Sequence, residues 1–319
     1  MSKLFPAFLI GLLIASVSHG KDAYPPTGVE MRLQQVSDHV YYVQGQAGAA
    51  TDNEGFISNA AAVVTDEGVV IFDVLGTPSL AARFLGLLRE ITDAPVRTVV
   101  VSHYHADHIY GLQVFKDLGA EIIAPSGAND YLQSPAAKTR LEERRLSLDP
   151  WVNDNTRIVV PDVFLRENTR FTLGGVEFII TLLGSAHSDG DLAMLVEPDR
   201  VLLSGDIIFE GRVPFVGDAD TKRWLAVLES LETGGIVALV PGHGPAARDP
   251  QKAISLTRRY LAFLREHLGA AVEEMLPFAG AYDAIDWSEF SDLPAFEAAN
   301  RRNAYQVFLS LEAESVKAQ

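Results

Sequence analysis

The chain has 319 residues, 48% hydrophobic and 21% charged, the balance of a folded globular protein long enough to bury a large core without covalent staples. It has no cysteine, which excludes disulfides and thiolate ligands, so any metal must be held by nitrogen and oxygen donors. A formal charge of −16 repels phosphate backbones and argues against a nucleic-acid partner.

Residues 1–20, MSKLFPAFLIGLLIASVSHG, place Lys3 before an apolar run from Leu4 to Val17 and then Ser18, His19 and Gly20. A cation, an apolar stretch and small residues in that order predict a signal peptide cut after Gly20. The competing reading is a retained membrane anchor, but the run is shorter than the about 20 apolar residues that span a bilayer. The expectation is a periplasmic or secreted protein with no stable membrane anchor after cleavage. Segment 21–30, KDAYPPTGVE, has a Pro pair and no periodicity and reads as an irregular leader. The folded domain is expected over 31–319.

HVYYVQG (39–45), AAAVVT (60–65) and VVIFDV (69–74) read as strands, the last two joined as a hairpin by Asp66-Glu67-Gly68. PSLAARFLGLLREI (78–91) has apolar residues at helical spacing with Pro in the first turn. A buried strand RTVVVS (97–102) follows, then a helix over 109–118, a strand AEIIAP (120–125) and a helical stretch over 126–148 whose RLEERR is a solvated face. The second half repeats the theme. It has a hairpin over 170–183 around Gly174-Gly175, strands at 191–197 and 201–206, a helix at 221–232 and a strand at 236–242. Helices then fill most of the chain to its end, one of them near 294–312. Without a repeat or a linker between the halves, the simplest arrangement is two β-rich halves facing each other with helices outside.

Residues 102–108, SHYHADH, hold three of the eight histidines. Side chains two apart in extended chain point the same way, so His103 and His105 can face one point while Asp107 and His108 serve a neighbouring one. Imidazole and carboxylate suit a borderline cation such as zinc, and four such groups in six residues suggest a site with room for a second ion. The bland alternative is a chance cluster or a pH-sensitive surface loop. Three more donors follow predicted strands: His187 in a Gly/Ser-rich loop, Asp206 beside Gly205, and His243 between two glycines. Each alone is a weak signal. Together, apolar strands that each deliver His or Asp at the carboxyl end match where α/β proteins build sites. Ser102, Ser185, Ser188 and Ser204 read as turn or supporting groups, and without a G-x-S-x-G elbow a serine triad is disfavoured. Tyr104 points away by parity and reads as a packing residue; His39 and His267 show no partner pattern.

The order HYHADH, His187, Asp206, His243 resembles the metallo-β-lactamase superfamily. The resemblance implies an α/β fold: an αββα sandwich of two mixed β-sheets flanked by helices, here with a C-terminal helical extension. It implies two zinc ions, with iron or manganese as alternatives. One would lie on His103, His105 and His187, the other on Asp107, His108 and His243, with Asp206 bridging. Asp107 and Asp206 would also have catalytic roles, and Asp73 in VVIFDV matches the early acidic residue that braces such sites. The implied reaction is metal-assisted hydrolysis of an ester, thioester or amide bond in a small-molecule substrate. The retained Asp206 is more similar to glyoxalase II and related hydrolases than to most true metallo-β-lactamases, of which only the all-His/Asp subclass stays open. With its leader and the loop SGDIIFEGRVPFVGDAD, the chain resembles the periplasmic quinoprotein relay system zinc metallohydrolases. The alternatives are a mononuclear iron dioxygenase that oxidises sulfur compounds and a non-catalytic metal-binding accessory protein. Oligomeric state stays open. Arg212 is the one cation between Asp206 and Lys222. It could meet a substrate carboxylate or sulfur oxyanion at the pocket rim, or form a surface salt bridge with Glu210, Asp218 or Asp220.

Overall fold

The structure, a computed structural model, describes residues 24–317 except 218, 232 and 233. The expected signal peptide, 1–20, lies outside the described residues, and among them no helix is long and apolar enough to cross a membrane. The first half builds β1 (Leu33–Gln35), β2 (Val40–Val43), β3 (Ala60–Thr65), β4 (Gly68–Phe72), α1 (Pro78–Arg89), β5 (Val96–Val100), α2 (Ala106–Ile109), α3 (Leu112–Lys116), β6 (Glu121–Pro125), α4 (Ala128–Leu132), α5 (Pro135–Ser147) and β7 (Val163–Leu165). The second builds β8 (Thr169–Leu173), β9 (Val176–Gly184), β10 (Asp191–Glu197), β11 (Val201–Leu203), α6 (Thr221–Ser230), β12 (Ala238–Val240), α7 (Pro250–Glu273), α8 (Phe278–Ala284) and α9 (Phe296–Lys317).

Strands β1 to β7 form one sheet in chain order, antiparallel through β4 and parallel from β4 to β7. The other sheet runs β12-β11-β10-β9-β8, antiparallel except for the parallel pair β11 and β12. Strand alternation sets the layers. In β4, Val70 and Phe72 face the second sheet, where they meet a core that includes Phe178, Ile180, Leu192 and Leu203. Val69 and Ile71 face the other way, toward Leu80 and Phe84 of α1 and Phe115 of α3. On the far side of the second sheet, Leu202 and Leu239 meet Trp224 of α6 and Tyr260, Leu261 and Leu264 of α7. Each large side chain fully removed from water contributes roughly 1.5–3 kcal/mol. The two sheets therefore need each other on one face and helices on the other. The result is the expected sandwich of two mixed sheets flanked by helices.

Local rules account for most element ends. α1 starts at Thr77, whose side chain accepts from Leu80 N at 3.1 Å, with Pro78 in its first turn. The helical stretch 126–148 divides at Ser134-Pro135, where Ser134 caps α5. The helix expected over 109–118 is instead two short ones, the first beginning at Ala106. The break falls at Gly111, where a Cβ would lie 2.0 Å from the Val74 carbonyl oxygen. β5 stops at Val100 and β11 at Leu203, before the residues that follow them toward the site. The edge strands β1 and β7 were not predicted from the sequence.

Candidate metal centre

The chain leaves β5, β9, β11 and β12 at one end of the sandwich, and each exit carries a donor. His103 and His105 sit in the loop after β5, with His105 at the N-terminal boundary of α2, and Asp107 and His108 lie in α2 itself. His187 follows β9, Asp206 occupies a one-turn 3-10 helix after β11, and His243 follows β12. His103 and His105 thus share a site through an irregular loop, not through the parity of a regular strand.

The seven side chains meet. His103, His105, His187 and Asp206 form one group whose ligand atoms lie within 4.8 Å of one another, and Asp107, His108 and His243 form a second. Asp206 stands between them. Its Oδ2 is 3.2 Å from the Nε2 atoms of both His187 and His243, and its Oδ1 is 3.2 Å from His108 Nε2. Asp107 Oδ2 lies 3.3 Å from His243 Nε2 and 3.5 Å from His108 Nε2. His105 reaches the first group with its nearer ring nitrogen, Nδ1, 2.9 Å from His187 Nε2.

The residues behind the cluster fix which nitrogen faces in. Asp73 Oδ1 accepts from Ser102 N at 2.7 Å, while its Oδ2 accepts from Ser102 Oγ at 2.7 Å and from His108 Nδ1 at 2.8 Å. Ser102 Oγ, having given its proton to the carboxylate, accepts from His103 Nδ1 at 2.9 Å. His243 Nδ1 donates to the Ile57 carbonyl at 2.6 Å. With Nδ1 engaged behind the cluster, His103, His108 and His243 all turn Nε2 inward, the nitrogen that would be unprotonated on a metal ion. His187 is placed differently: its ring meets the edge of Trp224 at 5.0 Å, and Trp224 Nε1 donates to the Ile207 carbonyl at 3.0 Å. The loop that carries His187 is shaped by buried Asp191, which accepts from Ser188 N and Ser188 Oγ at 2.9 Å and from Ala186 N at 3.2 Å. Gly242 permits the closest approach, since a Cβ there would fall 2.0 Å from Asp206 Oδ1.

Burial holds His103 well below its ordinary pKa, with the charge on His108 adding to the effect, and pushes His105 down to about 4. For Asp107 and Asp206 burial acts upward, but the surrounding histidines outweigh it and hold both carboxyls well below the usual range. Burial also opposes charge on His108 and His243. There the nearby carboxylates win and raise both, His108 strongly. The two carboxylates therefore demand positive charge at this spot, and a divalent cation would supply it. The donor atoms fit one: His103 Nε2, His108 Nε2 and Asp206 Oδ1 are buried without a hydrogen-bond partner. Such orphans are costly unless an ion completes them.

Several contributors carried no sequence signal. Asn59 clamps the His243 loop through Nδ2, which donates to the Pro241 and Gly244 carbonyls at 2.8 Å. Ser58 Oγ donates to the Asp107 carbonyl. Phe209 lies flat on the His243 ring, 4.9 Å between centroids at an interplanar angle of 3°. Tyr104 is buried and stacks on Tyr131 at 4.2 Å. His39, without a pattern in the sequence, pairs with Asp199 at 2.7 Å, far from the cluster in the chain.

Arg212 is 3% exposed, which removes it from the rim and from a surface salt bridge. Neither Glu210 nor Asp220 pairs with it, and Asp218 lies outside the described residues. Gly211, at φ 64°, turns the chain inward just before it, and Val213 N then bonds the Pro294 carbonyl at 3.0 Å. Burial lowers the Arg212 pKa, while the charges of Asp206 and Asp107 act to raise it.

Two mixed sheets with helices outside and a His/Asp cluster at one end define a class of metal-dependent hydrolase. A family profile described as the metallo-beta-lactamase superfamily matches residues 53–243, and the chain belongs to that superfamily. Metallo-beta-lactamase IND-1 of Chryseobacterium indologenes is 21% identical over 250 residues, covering 76% of this chain and 92% of that protein. A linear primary-alkylsulfatase of Pseudomonas sp. (strain ATCC 19151) is 22% identical over 237 residues, 63% of this chain but 44% of the relative. Among solved structures, a metallo-beta-lactamase from Pontibacter korlensis superposes with a TM-score of 0.59 at 20% identity, over 73% of this chain and 99% of its own. The inverting sec-alkylsulfatase Pisa1 from Pseudomonas sp. gives 0.66 at 20% identity, over 87% of this chain and 50% of its own. At these identities the structural likeness concerns the fold alone.

Proposed function

We propose that the protein is an exported dinuclear zinc hydrolase that cleaves an ester, thioester or amide bond in a small molecule. The observation that carries this reading is a pair of buried donor groups sharing Asp206, with inward nitrogens left bare. When bound, two zinc ions would polarise the scissile group and lower the pKa of water enough to provide a nucleophile near neutral pH. His103, His105 and His187 would hold one ion and Asp107, His108 and His243 the other, with Asp206 setting their separation. Asp107, the more exposed of the two carboxylates, faces the open side and can orient the nucleophile or take its proton. Phe209 and Trp224 wall the deep side against water. A cavity of about 370 Å³ lies between the loop that carries His187 and α9, bordered by Tyr104, Ser188, Asp220, Glu314 and Lys317, with none of the seven donors in its lining.

Export is supported by the pattern of residues 1–20. The leader and the EGRVPFVGDAD loop favour a likeness to the periplasmic quinoprotein relay system zinc metallohydrolases over a dedicated β-lactamase. The test is turnover of an ester, thioester and β-lactam panel before and after chelation. Ester or thioester cleavage should vanish with chelator and return with zinc, and β-lactam turnover should stay below roughly 10 per second. Cleavage that survives full metal removal, or efficient turnover of a carbapenem, would overturn the reading.

A further inference from the structure

The leader over 24–30 has no regular structure, yet it is tied to the loop that braces one side of the centre. Tyr24 and Val29 pack against the core that holds α1 and α3, and Met31 is buried within it. Trp151, which follows α5, donates through Nε1 to the Pro26 carbonyl at 3.1 Å. Glu54 then closes over the segment. Its carboxylate accepts from Thr27 Oγ1 and, through both oxygens at 3.1 Å, from Gly28 N.

Glu54 opens a stretch, 54–59, that reaches the centre at three places. Ser58 Oγ donates to the Asp107 carbonyl, and the Ile57 carbonyl accepts from His243 Nδ1 at 2.6 Å. Asn59 Nδ2 donates to the Pro241 and Gly244 carbonyls around His243 at 2.8 Å. Gly55 adds a backbone contact: a Cβ on Gly76 would lie 2.8 Å from the Gly55 carbonyl oxygen and 3.3 Å from Asp107 Cα. These contacts all fall on the side of Asp107 and His243. Between leader and centre the chain turns through two left-handed residues in a row, Glu54 at φ 59° and Gly55 at φ 85°. Glutamate stays in that conformation only where its surroundings hold it there. The bonds from Thr27 and Gly28 supply part of that constraint.

The leader and the Asp107 side of the centre therefore grip one short loop from opposite ends. Resting on the proposed dinuclear centre, we propose that Glu54 is a positioning residue that couples docking of the leader to metal binding by Asp107, His108 and His243. With the leader docked, Ile57, Ser58 and Asn59 stand where they orient His243 and Asp107. With an ion bound, the loop that receives the leader is fixed in turn. The coupling is reciprocal, so docking tightens ion binding by the same factor that the ion tightens docking.

Hydrogen exchange of the full wild-type chain, zinc-loaded and after chelation, reads the coupling without a variant. The Gly28 amide, which donates to Glu54, should exchange about fivefold more slowly with zinc than without. The His39 amide, whose acceptor is Asp199, is the control and should change less. Equal changes at the two amides, or none at Gly28, would overturn the proposal. Variants then address the tie itself. Asparagine tolerates the left-handed backbone at position 54 but is too short to reach the leader. Glu54→Asn should weaken one of the two zinc-binding steps about fivefold in chelator competition and leave the other unchanged. Glu54→Gln, which keeps the reach and an acceptor, should restore most of that affinity. Thr27→Val, a change confined to the leader, should move the same step in the same direction. Full affinity in both Glu54→Asn and Thr27→Val, or equal loss on both steps, would overturn the proposal. If wild type binds a single ion, the dinuclear reading fails and the amides decide the coupling alone. Slowing at Gly28 beyond that at His39 then supports it, and equal exchange overturns it.

Discussion

Asp73 stands at φ 58°, a left-handed conformation just past the end of β4, and spends both carboxylate oxygens on the backbone and side chains behind the donors. Asparagine tolerates that backbone region, so Asp73→Asn isolates the loss of charge from backbone strain. It should weaken the grip of Asp107, His108 and His243 on an ion by about 10- to 100-fold, read by chelator competition. Unchanged affinity would mean that His108 is oriented by its surroundings and not by Asp73. The grouping of the histidines was legible in the sequence because they are scarce and follow apolar runs, whereas Asp73 came only with the family resemblance. Asn59 and the Ile57 carbonyl were not legible, because a side chain that clamps a distant backbone leaves no spacing to read. Arg212 was seen but misplaced: a lone cation in an acidic chain looks like a surface residue until Gly211 and the Pro294 contact are known to turn it inward.

At the scale of elements, apolar runs and periodicity predicted most strands and helices but missed the edge strands β1 and β7. The division at Gly111 was missed because its cause, the Val74 carbonyl, belongs to another loop. A turn-to-turn contact also joins the two halves away from the centre. Asp199, in the turn between β10 and β11, accepts from His39 N at 3.0 Å and from Ser37 Oγ, and meets His39 Nδ1 at 2.7 Å, tying down the turn between β1 and β2. Burial opposes the charge on Asp199, but these donors outweigh it and lower the pKa of the carboxyl. A depressed folded pKa gives stability that is present above the unfolded value of about 3.9 and is lost as pH falls through the folded value. Asp199→Asn should therefore cost roughly 1–2 kcal/mol at neutral pH, with the gap to wild type closing in denaturant melts as pH falls through the lowered folded pKa. A gap that stays constant into acid would assign the contact to shape and not to charge.

At the scale of the whole molecule, the helices after β12 do more than cover a sheet. α7 and α9 share an apolar core, Tyr260 donates to Asn300 at 2.8 Å, and Arg265 forks onto Glu314 at 2.8 and 3.0 Å. The same helices grip the loop from Phe209 to Val216, so residues outside the matched span 53–243 position a residue beside the centre. The sandwich brings four chain exits to one end, and the proposed function rests on what those exits hold together. Elemental analysis of protein made without metal bias, wild type beside Asp206→Ala, tests that most directly. The dinuclear reading predicts about two zinc ions per wild-type chain and the loss of one or both when Asp206 is removed. A single iron with no zinc in the wild type, or full zinc content in the variant, would contradict it.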